Sequence, residues 1–234
     1  MSGLQLLLLA TGLLFLPWGI SRLSTKPGPV DSEPKPSPEI RGILVPLHWL
    51  AIGYCVLWHR LTTNGWAPLP AAGPAILIAN HTCGIDHLLL QAGCRRVLGF
   101  MIAREYYDWP LIHRFCKLTR CIPVNRDGRD IQATRTAIRA IEGGRVVPIF
   151  PEGQITPRSG EVLGEFRPGA AFLAVRTGVP VIPAYIRGTP PTNLIGPSLT
   201  TPSRSRVTFG PPIPLDDFKP HQAGDKAVLQ EVTR

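Results

Sequence analysis

A chain of 234 residues has room for one ordinary domain with an appendage and is long enough to bury a core. Its composition, 44% hydrophobic and 18% charged, is globular but leans apolar, while the net charge of +9 favours anionic partners such as acidic headgroups or a phosphorylated substrate. No Lys/Arg-rich block or aromatic-basic stripe marks a nucleic-acid surface, and five cysteines, odd in number and without a CxxC pair, argue against a disulfide framework. Reduced, mostly buried thiols fit a domain that faces the cytoplasm.

The chain opens on a stretch without charge from Met1 to Ser21, almost continuously apolar from Leu4 to Leu16. It is marginally long enough to span a bilayer and lacks the basic start and cleavage site of a signal peptide, so residues 1–22 read as a membrane anchor helix. The first flanking charges, Arg22 and Lys26, lie on its C-terminal side, which predicts a cytoplasmic location for the rest of the chain. Residues 23–41 interleave Pro27, Pro29, Pro34, Pro36 and Pro38 with charges and read as a stiff linker. Residues 42–72 begin with a second uncharged stretch, Gly42 to Trp58, that is short for a span and contains Pro46. Its aromatics His48, Trp49, Tyr54 and Trp58 suit a partly embedded or interfacial helix; the competing reading is a buried core helix.

From Gly73 to the end, residues 73–234, short apolar runs alternate with helical segments. Strands are predicted at Ala75–Ala79, Val97–Ala103, Ile122–Val124, Val146–Phe150, Val181–Ile186 and Arg206–Phe209. Helices are predicted at Asp86–Ala92, Trp109–Thr119, Arg129–Glu142 and Gly169–Thr177, with a short final helix after Pro220. The Arg129–Glu142 segment is the clearest, since Ile131, Thr134, Ile138 and Ile141 share one face and Gly143-Gly144 ends it. The alternation implies an α/β fold, a mixed sheet flanked by helices, with function at strand ends and loops.

Polar clusters stand where these apolar strands stop. Asn80-His81 follows the first strand, and Asp86 lies five residues beyond His81. On a continuous helix that spacing leaves the two side chains roughly 140° apart, so a direct pair needs a bend, for which Gly84 is suited. An imidazole is a natural base for an alcohol, and a carboxylate can fix its tautomer and stabilise its cation. Other readings of the same residues are Asp86 as an N-cap, Cys83 as a nucleophile beside His81, and His81, Cys83 and His87 as metal ligands, the last at a spacing that matches no familiar zinc pattern. Glu152, pinned between Pro151 and Gly153 after Phe150, is held with little freedom, and Arg126 after Asn125 could grip a phosphate through its planar fork. Val179–Pro183 is chemically silent.

Taken in order, these segments resemble the glycerolipid (1-acyl-sn-glycerol-3-phosphate type) acyltransferase family over about Gly73 to Pro214. His81 to Asp86 is similar to its His-x4-Asp block, Asn125-Arg126 to its second block, Phe150–Gly153 to its Phe-Pro-Glu-Gly block, and Val179–Pro183 to its apolar proline block. The resemblance implies an O-acyltransferase of phospholipid biosynthesis that moves a fatty acyl group from acyl-coenzyme A or acyl carrier protein to a lysophospholipid hydroxyl, by default lysophosphatidic acid. It implies His81 as general base, Asp86 as its support, Arg126 on the acceptor phosphate with Asn125 beside it, and Glu152 and Gly153 shaping the acceptor site. Membrane lipids are the implied partners, and no metal or tightly bound cofactor is implied. Where the phosphatidic-acid-making members continue Thr-Arg-Ser, this chain has Gln154-Ile155-Thr156, which removes one phosphate contact and leaves Arg158 or Arg167 to substitute. The rival functions are a lysophospholipid acyltransferase with a different headgroup acceptor, a thioester hydrolase and a non-catalytic lipid-binding protein.

Overall fold

The computed structural model describes residues 40–125 and 130–233. The expected anchor at 1–22, all but the last two residues of the expected linker, and Arg126 lie outside the described residues. The second uncharged stretch forms helix α1 (Leu44–Leu57), 14 residues long, with Pro46 in the first turn, where no intrahelical N–H is needed. Among the described residues no helix is long and apolar enough to cross a membrane. Helix α1 instead has two characters. Cys55 is buried, with Ile52 and Tyr54 packed against the core, while Trp49, Leu50 and Leu57 are exposed.

Strand β1 (Thr62–Thr63) follows, then β2 (Ala75–Ala79) and helix α2 (Asp86–Ala92). Next come β3 (Met101–Ala103), α3 (Arg104–Tyr107), α4 (Pro110–Leu118) and β4 (Ile122–Val124), and then α5 (Ile131–Glu142) and β5 (Val146–Ile149). The chain continues with α6 (Gly169–Thr177), β6 (Val181–Arg187), α7 (Ile195–Thr200) and β7 (Arg206–Phe209), and closes with a 3-10 turn at Pro220–Gly224 and α8 (Lys226–Thr233). Five strands form one sheet in the order β1-β7-β6-β2-β5, parallel except for the antiparallel β6–β7 pair; β3 and β4 form a separate parallel pair. This is the mixed α/β sheet that the alternating pattern implies.

Strand β2 is apolar without alternation because both its faces are covered. Ala75, Leu77 and Ala79 share a core with residues of α1 and α2, whereas Ile76 and Ile78 pack with residues of α5 and α6. Cys55 of α1 and Leu61, just before β1, belong to the first of these cores, so residues 42–72 are packed into the same fold as the sheet. Helix α5 begins where Asp130 accepts the Ala133 N–H at 2.8 Å and ends at Gly143.

The strand expected at Val97–Ala103 is shorter than its apolar run. Leu98 bridges to Val146 at the start of β5, but the chain then leaves that sheet, and Met101–Ala103 pairs with β4. Gly99 sits at this parting against the Arg145 guanidinium, in space a side chain would occupy. Helices α3 and α7 and strand β1 carry no sequence signal that predicts them; all three are short, and none has a periodic pattern long enough to read.

His87, the second residue of α2, lies edge-on to Phe100 at 6.0 Å between ring centroids. Burial is the main reason its pKa is pulled from 6.5 to about 4, against the opposing pull of Asp86. As pH falls below 6.5 the unfolded chain takes up this proton while the folded chain resists it until about pH 4, so this contribution to stability is present above pH 6.5 and is lost progressively down to pH 4. Denaturant unfolding at pH 7 and near pH 4 is therefore expected to show a smaller acid-induced loss for His87→Gln than for the unsubstituted protein. Equal losses in both would contradict this assignment.

Candidate active site

The site is assembled at the C-terminal ends of β2 and β5, which lie side by side in parallel register with Ile78 opposite Ile149. Just beyond β2, the buried Asn80 side chain takes over strand pairing. Its Nδ2 donates to the Ile186 carbonyl at 2.9 Å, and its Oδ1 accepts the Ile186 N–H at 2.7 Å. The chain therefore leaves the sheet with its direction fixed to β6, and the next residue is His81.

Between His81 and Ile85 the chain turns, and Asp86 opens α2. The Asp86 carboxylate points back over this turn rather than along its own helix. Oδ2 lies 2.7 Å from His81 Nδ1, 2.5 Å from the Thr82 amide and 3.0 Å from the Cys83 amide, while Oδ1 accepts the Thr82 hydroxyl at 2.6 Å. The awkward helical spacing of His81 and Asp86 is thus avoided, since the intervening residues are not helical. The N-cap alternative also falls away: Ile85 is the capping residue, and no side chain caps α2. Gly84 serves the turn differently from the bend expected of it. Its φ is not left-handed; instead a Cβ there would lie 2.7 Å from Ser198 Oγ and 3.0 Å from Ile195 Cα, so glycine is required by the close approach of α7.

Because a carboxylate accepts, Nδ1 of His81 is the donor in this contact, and in the neutral imidazole the lone pair is then on Nε2. The ring is stacked on Phe150, 4.1 Å between centroids with planes 12° apart. His81 is 19% exposed whereas Asp86 is 0% exposed, so one nitrogen faces the interior and the imidazole still borders solvent. It lines an open cavity of about 350 Å³ together with Asn125, Phe150, Gly153, Gln154 and Arg167.

The other residues singled out in the sequence fall into different places. Asn125 reaches the cavity: its N–H donates to Asp130 at 2.8 Å, and its Oδ1 accepts from Arg104 Nε at 2.9 Å. Gly153, with φ of +72°, also lines it; a Cβ there would press within 2.9 Å of Arg167 Nε. Glu152 does not line this cavity. It is buried behind His81, with Oε1 accepting the His81 N–H at 2.8 Å and Oε2 the Gly164 N–H at 3.1 Å. By geometry it holds the histidine backbone from behind the cavity. The Gly153 N–H is bound to the Phe150 carbonyl at 3.0 Å and so is not free to meet an oxyanion.

Of the two substitutes for the missing arginine, Arg167 borders the cavity and Arg158 does not. Arg104, held by Asn125, carries no motif in sequence and is recognisable only once β3 and β4 are paired. Cys83 is fully buried, and burial together with Asp86 pushes its thiol up to about 11, the opposite of what an activated thiolate needs. Among the described residues no group of three His, Cys, Asp or Glu side chains is disposed to hold a metal ion.

The sequence model of the Acyltransferase family matches residues 60–187. An uncharacterized protein of Mycobacterium leprae is 26% identical over 220 residues, covering 75% of this chain and 57% of that protein. The chain thus spans under two thirds of the length of its mycobacterial relatives. The 1-acyl-sn-glycerol-3-phosphate acyltransferase of Bacillus subtilis is 26% identical over 151 residues, covering 64% of this chain and 72% of that enzyme. The crystal structure of the 1-acyl-sn-glycerophosphate acyltransferase PlsC from Thermotoga maritima superposes with a TM-score of 0.64 at 22% identity, covering 82% of this chain and 77% of that one, which shows a shared fold.

Glu152→Gln leaves one of two backbone N–H groups, those of His81 and Gly164, facing an amide NH2 instead of an oxygen. The expected loss of stability is about 1–3 kcal/mol, the cost of an unsatisfied buried donor, measured by denaturant unfolding. A neutral effect would show that the carboxylate is not what holds His81.

Proposed function

From its membership of the Acyltransferase family, to which this chain belongs, we propose that it transfers a fatty acyl group from an acyl thioester to the free hydroxyl of a lysophospholipid, with lysophosphatidic acid as the default acceptor and phosphatidic acid as the product. The observation that carries this reading is the 2.7 Å contact between His81 Nδ1 and Asp86, which leaves Nε2 as a base beside an open cavity. In the step proposed, Nε2 takes the proton of the acceptor hydroxyl as its oxygen attacks the thioester carbonyl. The developing imidazolium is stabilised by the buried Asp86. Collapse of the tetrahedral intermediate breaks the C–S bond, and His81 returns its proton to the departing thiolate of coenzyme A or acyl carrier protein. The protein ends as it began, and the products are an ester and a thiol.

The surroundings favour a substrate with an anionic head and an apolar tail. Arg167 borders the His81 cavity, and Arg104 stands beside it on Asn125; Arg126, next in sequence to Asn125, is assigned to the acceptor phosphate with them. Arg167, Pro151 and Ala170 are also walls of an adjoining cavity of about 280 Å³, lined by apolar side chains such as Ile76, Val181 and Leu215, where an acyl chain is at home. Donor choice between acyl-coenzyme A and acyl carrier protein, and a membrane setting with the site on the cytoplasmic side, belong to the same proposal.

The test is a mass-spectrometric assay of the purified full chain with a panel of lysolipids and both donor classes. Acyl transfer is expected with phosphate-bearing acceptors, and His81→Ala is expected to lower turnover by about 10²–10⁴-fold. Near-normal turnover in that variant, or acyl release indifferent to the acceptor, would sink the transferase reading, the second outcome in favour of a hydrolase.

A further inference from the structure

We propose that the sheet edge formed by Arg60, Arg187, Arg204 and Arg206 is a docking surface for anionic lipid headgroups, seating the domain on a bilayer together with the exposed face of α1. The four side chains, with Thr62 and Gly188, line an open cleft of about 550 Å³ that shares no lining residue with the His81 cavity. All four are exposed, and among the described residues none is paired with a carboxylate.

The cleft is built by the fold rather than by four loose side chains. Arg187 ends β6 and Arg206 begins β7, and the two are direct partners in the antiparallel register. Like charges set opposite one another across strands are destabilising unless an anion lies between them. Arg206 Nε is held by the Thr62 hydroxyl at 3.3 Å, on the neighbouring strand β1. Gly188, with φ of +71°, packs against the Arg204 carbonyl so closely that a Cβ has no room, which fixes the two arginine-bearing segments together. Arg60 adopts φ of +44°, a left-handed conformation costly for a residue with a Cβ, where the chain turns out of α1.

Charge alone would suit any acidic partner; its neighbour selects a lipid surface. Leu57, three residues before Arg60, is 82% exposed, and Val56, Leu50 and Trp49 are exposed on the same helix. Apolar and indole side chains next to guanidinium groups match the layering of an anionic bilayer surface, tails below and phosphates above. The register also places this patch usefully. β2 and β6 are parallel, and Asn80, next to His81, is bonded to Ile186, next to Arg187. The arginines therefore stand at the same end of the sheet as the candidate active site, with β7 two strand spacings, roughly 10 Å, from β2.

Co-flotation of the full chain with vesicles of phosphatidylcholine, alone or mixed with phosphatidylglycerol, tests the proposal without requiring turnover. Binding to the mixed vesicles is expected to be stronger, with the preference abolished at high salt. Arg187→Gln/Arg206→Gln is expected to lower partition onto mixed vesicles by about tenfold or more while leaving residual binding to neutral ones unchanged. Should that pair prevent folding, as judged by circular dichroism, Arg204→Gln and the salt dependence of the unsubstituted protein carry the same test. Equal binding to both vesicle types, or an unchanged preference in the folded variant, would overturn the proposal. So would intact vesicle preference coupled to lost binding of an acidic carrier protein, since the surface would then belong to that protein.

Discussion

The turn between β2 and α2 depends on one buried carboxylate. Taking Asp86 wholly out of water costs several kcal/mol unless its oxygens are satisfied, and the short segment His81–Cys83 satisfies them from two amides, one hydroxyl and one ring nitrogen. Such a set of donors cannot be gathered by a helix, so the chain must leave β2, curl over the carboxylate and only then begin α2. The imidazole position is a consequence of this requirement as much as of any selection on the histidine itself. Thr82 extends the network outward, because its hydroxyl also accepts from Thr189 at 2.9 Å, just past β6. The candidate base is thereby tied to the end of β6 as well as to β2.

A second carboxylate completes the arrangement from the opposite side. Glu152 grips the His81 amide from β5's end, while Phe150 lies flat beneath the ring. Backbone, ring plane and Nδ1 are each held by a different residue, so the freedom left to His81 is small. That is the condition under which a general base acts without reorganising at the moment of reaction. The parallel register of β2 and β5 makes the arrangement possible, since it brings both strand ends to the same edge.

How much of this is legible in the sequence varies with the range of the interaction involved. The unbroken apolar run of β2, the periodic face of α5 and the polar residues at strand ends are local signals, and they identify the sheet, the helix and the neighbourhood of the site. The pairing of His81 with Asp86 is legible as a chemical suggestion, but its geometry is not, because the carboxylate is satisfied by backbone amides, which no side-chain pattern reports. For Glu152 the sequence indicates the neighbourhood but not the partners, which are the amides of His81 and Gly164, one of them far away along the chain. Gly84 invites a dihedral explanation when its constraint is the approach of α7. Arg104 and the arginine edge are invisible in the sequence because they exist only through strand register: β3 against β4, and β6 against β7.

Under the functions proposed, the same register would bring substrate recognition and surface attachment to one end of the molecule. A lysophospholipid is amphipathic, so its hydroxyl can reach His81 only if the cavity mouth lies near the depth where headgroups meet water. A sheet whose parallel strands end together offers that edge to both tasks: the β2 and β5 ends hold the base, and the β6 and β7 ends carry cations. The apolar face of α1 ends at Leu57, three residues before Arg60 on the chain leading into this edge. In that proposal the orientation of the domain at a surface follows from topology, with side-chain charge acting on an edge that the strand order defines.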